Sequence, residues 1–113
     1  MNNMVFLVES YLSKVKHYIE QGEYTFEKQD MINLTQLGIS YSTAVDIVKN
    51  LAYDSYVSGP EPDHLYNEQD IFVFGEFYEE IELYIKLTFR KQDDLFIMSF
   101  HEAKYKMNYP LKK

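Results

Sequence analysis

The sequence contains no cysteine. That excludes a disulfide framework, a thiolate zinc site and a cysteine nucleophile, and it agrees with a reducing cytoplasm. No apolar run approaches the ~20 residues of a membrane span, and the opening MNNMVFLVESYLSKVKHYIEQ carries an acid within its apolar stretch and no small-residue cleavage site. A soluble, unexported, cytoplasmic protein is expected. The four glycines are isolated, so there is neither a phosphate-cradling glycine loop nor a G-x-S-x-G elbow. His17, His64 and His101 show no HxH or HExxH spacing, and no metal site or other cofactor is expected.

Positive charge is also sparse. Eleven Lys plus Arg against eighteen Asp plus Glu give a net charge of -7, which argues against a surface that attracts nucleic acid everywhere. The distribution is uneven. Eight acids (Glu61, Asp63, Glu68, Asp70, Glu76, Glu79, Glu80 and Glu82) fall between residues 61 and 82 without one Lys or Arg. Such a block ordinarily forms a solvated face. The last ten residues hold Lys104, Lys106, Lys112 and Lys113 and no acid, so basic ground lies close to His101.

What is present is apolar and aromatic side chain in periodic order. With 113 residues, 46% of them hydrophobic, the chain has material for one core, and residues 1–113 are expected to form a single domain. Val5, Leu7, Val8, Tyr11, Leu12, Val15, Tyr18 and Ile19 recur at spacings of three and four and predict an amphipathic helix ending at Gly22. EYTFEK (23–28) alternates as a short strand. Asp30 is then expected to cap a helix through Leu37 that stops at Gly38, and Ser40 or Ser42 a third helix running to about Tyr53. SGPEPDHLYNEQD (58–70) is rich in turn formers and reads as a loop.

Beyond it the period changes to two. IFVFGEF, IELYIKLTFRK and DLFIMSFHEA predict three sequential antiparallel strands, the last two joined across Gln92-Asp93. Helices followed by a meander describe an α+β fold, with N-terminal helices packed on one face of a small antiparallel sheet. In IELYIKLTF the residues Ile81, Leu83, Ile85, Leu87 and Phe89 share one face, and Glu82, Tyr84, Lys86, Thr88 and Arg90 the other. In the last strand Phe96, Met98 and Phe100 are expected on the core side, with Ser99 and His101 opposite. A turn at Gln92-Asp93 makes partner numbers sum to 185, which sets Lys86 against Ser99 and Tyr84 against His101.

A tyrosine, a lysine, a serine and a histidine gathered in this way suit general acid–base chemistry on a phosphate. A polar outer face is also what any half-buried antiparallel sheet presents. The aromatic residues could stack on single-stranded RNA, although Tyr and Phe at helix and strand spacing are more often core.

The order and spacing of LSKVKHYIEQG, LGI, AVDIVKNLAYDSYV, EQDIF, LYIKLTF and LFIMSFHEAK, across roughly residues 12 to 104, resemble the MqsR family of bacterial toxins. The resemblance implies a RelE-like α+β fold and a metal-independent endoribonuclease of a type II toxin–antitoxin pair, an mRNA interferase silenced by a cognate antitoxin. It implies roles for Tyr84, in the family's Y-[IL]-K strand, for Gln69, in its QD element, and for Tyr56, after the third helix. His101 stands where some relatives have lysine. Relatives carry a functional lysine where this chain has Val57, and Lys86, shared with the family, is the candidate stand-in. The expected catalytic group is therefore His101, Tyr84, Lys86 and Gln69, with Tyr56, Ser99, Lys104 and Lys106 contacting RNA. The alternative is a catalytically inactive binding module with the same fold, acting through the acidic block on a basic partner.

Overall fold

The computed structural model describes residues 3–61, 71–90 and 94–113. Three helices come first. α1 (Asn3–Glu20) buries Val8, Leu12, Val15 and Ile19, one stripe of its surface. It ends at Gly22, whose φ of 73° is the left-handed cap that glycine adopts freely. After β1 (Tyr24–Phe26) come α2 (Lys28–Leu37) and α3 (Tyr41–Lys49). The Ser40 hydroxyl caps α3 by accepting the Thr43 N–H at 3.1 Å.

Asp30 does not cap α2 as expected. Glu27 is the N-cap, and Asp30 occupies the third helical position, from which its carboxylate reaches back to the Glu27 N–H at 3.2 Å. This is a capping box, so the helix begins three residues earlier than a cap at Asp30 would set. The third helix is also shorter than expected, ending at Lys49. A 3₁₀ turn over Tyr53–Ser55 then leads into β2 (Tyr56–Glu61), β3 (Ile71–Tyr78), β4 (Ile81–Phe89) and β5 (Leu95–Glu102).

The five strands lie in the order β1-β5-β4-β3-β2, with β1 parallel to β5 and the other neighbours antiparallel. The fold is therefore α+β, three N-terminal helices on a mostly antiparallel sheet. Residues 58–61, expected in a loop, belong to β2. They lie at the sheet edge, where Pro60 forfeits no ladder bond. Gln92 and Asp93, the expected turn, lie outside the described residues. Next to them the Arg90 N–H donates to the Asp94 carbonyl at 2.9 Å.

One contiguous core joins the helices to the sheet, with Phe74, Leu83, Ile85, Leu87, Leu95 and Phe100 fully buried. The partner numbers sum to 185 from Leu83↔Glu102 to Lys86↔Ser99 as expected, but then shift, with Leu87 facing Ile97. Met98 is the extra residue, and this bulge inverts the alternation of β5. Leu95 and Ile97 consequently face the core, while Phe96 and Met98, expected there, are only half-buried. Phe96 instead lies beneath the Arg90 guanidinium, 4.3 Å from the ring centre. Beyond the bulge, Phe100 points inward and Ser99 and His101 outward.

Candidate functional site

The outer face of β4 presents Glu82, Tyr84 and Lys86, because Leu83, Ile85 and Leu87 are held at 0% exposure on the other side. Tyr84 pairs with His101 and Lys86 with Ser99. The phenol and imidazole rings stack, their centres 5.0 Å apart and their planes 11° from parallel. These four residues line a groove of about 450 Å³, closed by Val57 on one side and by the segment that follows β5 on the other. Lys104 and Lys106 line it too. Six of the eight residues expected at the site thus meet in one place.

Of the other two, Tyr56 does not. Gln69 lies outside the described residues. Tyr56 is 8% exposed; its ring packs with Phe72 and Phe74, and its hydroxyl donates to the Gly59 carbonyl. It is a core residue, and Val57, next along the edge strand, faces the groove in its place.

His101 Nδ1 lies 2.8 Å from the Glu102 carbonyl oxygen. A carbonyl can only accept, so Nδ1 carries the proton and the neutral ring offers Nε2 as the acceptor. Burial pushes the Tyr84 phenol up from the usual tyrosine range, and the Glu61 carboxylate acts in the same direction. Tyr84 therefore stays protonated at neutral pH and is equipped to donate. His101 also borders a second depression, lined by Gln29, Asn33 and Gln36 of α2.

β5 is held beside the site by α2 as well as by the sheet. The β1–β5 ladder pairs residues 95–97, and beyond it the Phe100 N–H donates to Asp30 Oδ1 at 2.9 Å while the Phe100 carbonyl accepts from Asn33 at 3.2 Å. Helix side chains thus continue, at one residue, the pairing that β1 no longer provides. Reading the sequence for caps alone did not reveal this use of Asp30.

The far wall depends on Glu82. Its backbone carbonyl accepts the Ala103 N–H at 2.8 Å, and its two carboxylate oxygens accept the Met107 N–H at 3.2 Å and the Tyr109 hydroxyl at 2.7 Å. Burial and this carboxylate drive the Tyr109 phenol far up. Gly75, opposite Tyr84 on β3, makes the arrangement possible: a Cβ there would stand 2.8 Å from a Tyr109 ring carbon.

The family model described as motility quorum-sensing regulator, toxin of MqsA, matches residues 9–102. The chain belongs to the MqsR toxin family. No curated protein matches it. The span shared with the MqsR family includes Tyr84, Lys86, Ser99 and His101 and stops before Lys104, Tyr105 and Lys106. The groove therefore has a floor inside the family match and a wall outside it. Among the described residues no group of three or more His, Asp or Glu side chains could hold a metal ion, and no helix is long and apolar enough to cross a membrane.

Proposed function

We propose that this MqsR-family chain is an endoribonuclease toxin that cuts messenger RNA by attack of a ribose 2′-oxygen on the adjacent phosphorus. The observation that carries the reading is the Tyr84–His101 stack beside Lys86, in a groove rimmed by lysines. His101 Nε2 takes the proton from the 2′-hydroxyl. The new O–P bond forms as the bond to the 5′-oxygen breaks, and the leaving oxygen takes the proton held by Tyr84. The products are a 2′,3′-cyclic phosphate and a free 5′-hydroxyl. Lys86 offsets the charge that builds on the phosphoryl oxygens, and Ser99 can hydrogen-bond the same group. Proton exchange with water, returning the proton to Tyr84 and removing the one gained by His101, resets both groups for the next turnover. Lys104 and Lys106 add sequence-independent attraction to the backbone.

The partner we infer is an MqsA-type antitoxin that silences the chain until needed. The acidic-face alternative is weaker because two acids of the block are committed internally. Glu76 accepts from the Ser55 hydroxyl and the Phe77 N–H, and Glu82 tethers the C-terminal segment.

The test is His101→Ala. Expression of the parent without antitoxin should arrest growth, and the purified protein should leave 2′,3′-cyclic phosphate ends. The variant should fold, tolerate expression and lose cleavage by roughly a hundredfold or more. Full cleavage by folded His101→Ala would remove the imidazole from the mechanism.

A further inference from the structure

Residues 103–107 form a loop fastened at both ends to one residue, because Ala103 and Met107 both donate backbone N–H groups to Glu82. Tyr105 stands at its apex, 84% exposed. It borders the groove that holds Tyr84 and His101, and among the described residues no ring stacks on it. Lys104 and Lys106 flank it in the chain and line the same groove.

An aromatic ring left in water by a fastened loop is already placed for a ligand, and its ordering cost is met before binding. The neighbours indicate which ligand. Lysines on either side suit successive phosphates of a nucleic-acid strand, and a phenol between them suits the flat face of the base that those phosphates flank. A duplex keeps its base faces stacked internally, so only an unpaired base can use the ring.

We propose that Tyr105 is the stacking platform for one unpaired base of the RNA strand, next to the phosphate held over His101, with Lys104 and Lys106 holding the phosphates on either side of that base. The site rests on the ribonuclease reading above and adds to it a subsite outside the family match. Recognition through a π-face accepts any base, so the platform sets the spacing between one stacked base and the scissile phosphate and does not choose which letter occupies the subsite.

The experiment measures binding of the full chain to short single-stranded 2′-O-methyl oligoribonucleotides of mixed sequence, whose blocked 2′-oxygen prevents cleavage. Tyr105→Ala should weaken binding about tenfold or more, Tyr105→Phe should stay within about twofold, and the salt dependence should be unchanged because no charge is lost. In an oligonucleotide only long enough to fill the site in one register, scanned with single abasic sites, one position should abolish the difference between parent and Tyr105→Ala. Unchanged affinity in Tyr105→Ala would overturn the proposal, and so would a difference that persists at every abasic position. Loss of antitoxin binding with oligonucleotide affinity intact would assign the ring to the protein partner and equally overturn it. Weakened binding in Tyr105→Ala alongside full cleavage by His101→Ala would end the proposed chemistry and leave the subsite standing.

Discussion

The carboxylate of Asp30 in α2 holds the backbone N–H of Phe100 in β5 at 2.9 Å, 70 positions away in the chain and one residue before His101. Its other oxygen holds the Glu27 N–H, so one buried side chain closes both the start of a helix and the free edge of a strand. Asp30→Ala leaves both donors without partners. It should lower unfolding free energy by about 2–4 kcal/mol, read by denaturant titration, and a loss below about 0.5 kcal/mol would show that water replaces the carboxylate.

The same residue gives a pH signature. Burial raises its carboxyl from 3.8 to about 6, against the pull of the two N–H donors and with help from the Glu27 charge. Because the folded value lies above the unfolded one, the unfolded chain loses this proton first. The contribution is present in full below about pH 4 and is lost as pH rises through about 6. The stability of the parent relative to Asp30→Asn should fall by roughly 3 kcal/mol across that window. A difference that is flat or rises with pH would contradict the assignment.

Tyr84→Phe keeps the ring against His101 and removes only the hydroxyl. If the phenol supplies the proton to the leaving oxygen, kcat should fall on the order of a hundredfold with KM nearly unchanged. Equal kcat in the two proteins would reduce Tyr84 to a support for the imidazole.

Val57 faces the groove with no charge. Val57→Lys should add one phosphate contact, lowering KM and steepening the dependence of log affinity on log salt by about 0.7, the single-strand value for one contact. An unchanged slope would mean that the RNA backbone does not pass this edge.

Gly75→Ala should displace Tyr109 and Met107 from the sheet and cost about 1–3 kcal/mol. Adding Tyr109→Ala should recover part of that loss, since the clash with Tyr109 then disappears and only the one with the flexible end of Met107 remains, and a double-mutant cycle measures the coupling. Strict additivity would place the contact elsewhere.

Local pattern in the sequence determined a good deal about this chain. The α1 stripe, the Ser40 cap, the Gly38 stop and the alternation of β4 depend only on near neighbours, and the pairing of Tyr84 with His101 follows from them once the strands face each other. The bulge at Met98 was decided by the tertiary structure. Phe96 and Met98 are as apolar as Leu95 and Ile97, so only packing against the helices selects which pair goes inside. Tyr56 was likewise decided by packing, since an aromatic residue beside a turn reads the same whether it fills a core or meets a ligand. The fastening of residues 103–109 to Glu82, and of β5 to Asp30, joins positions separated by 21 to 70 residues. A side chain's charge is visible in sequence, but which distant backbone donors it will satisfy depends on where the folded chain brings them.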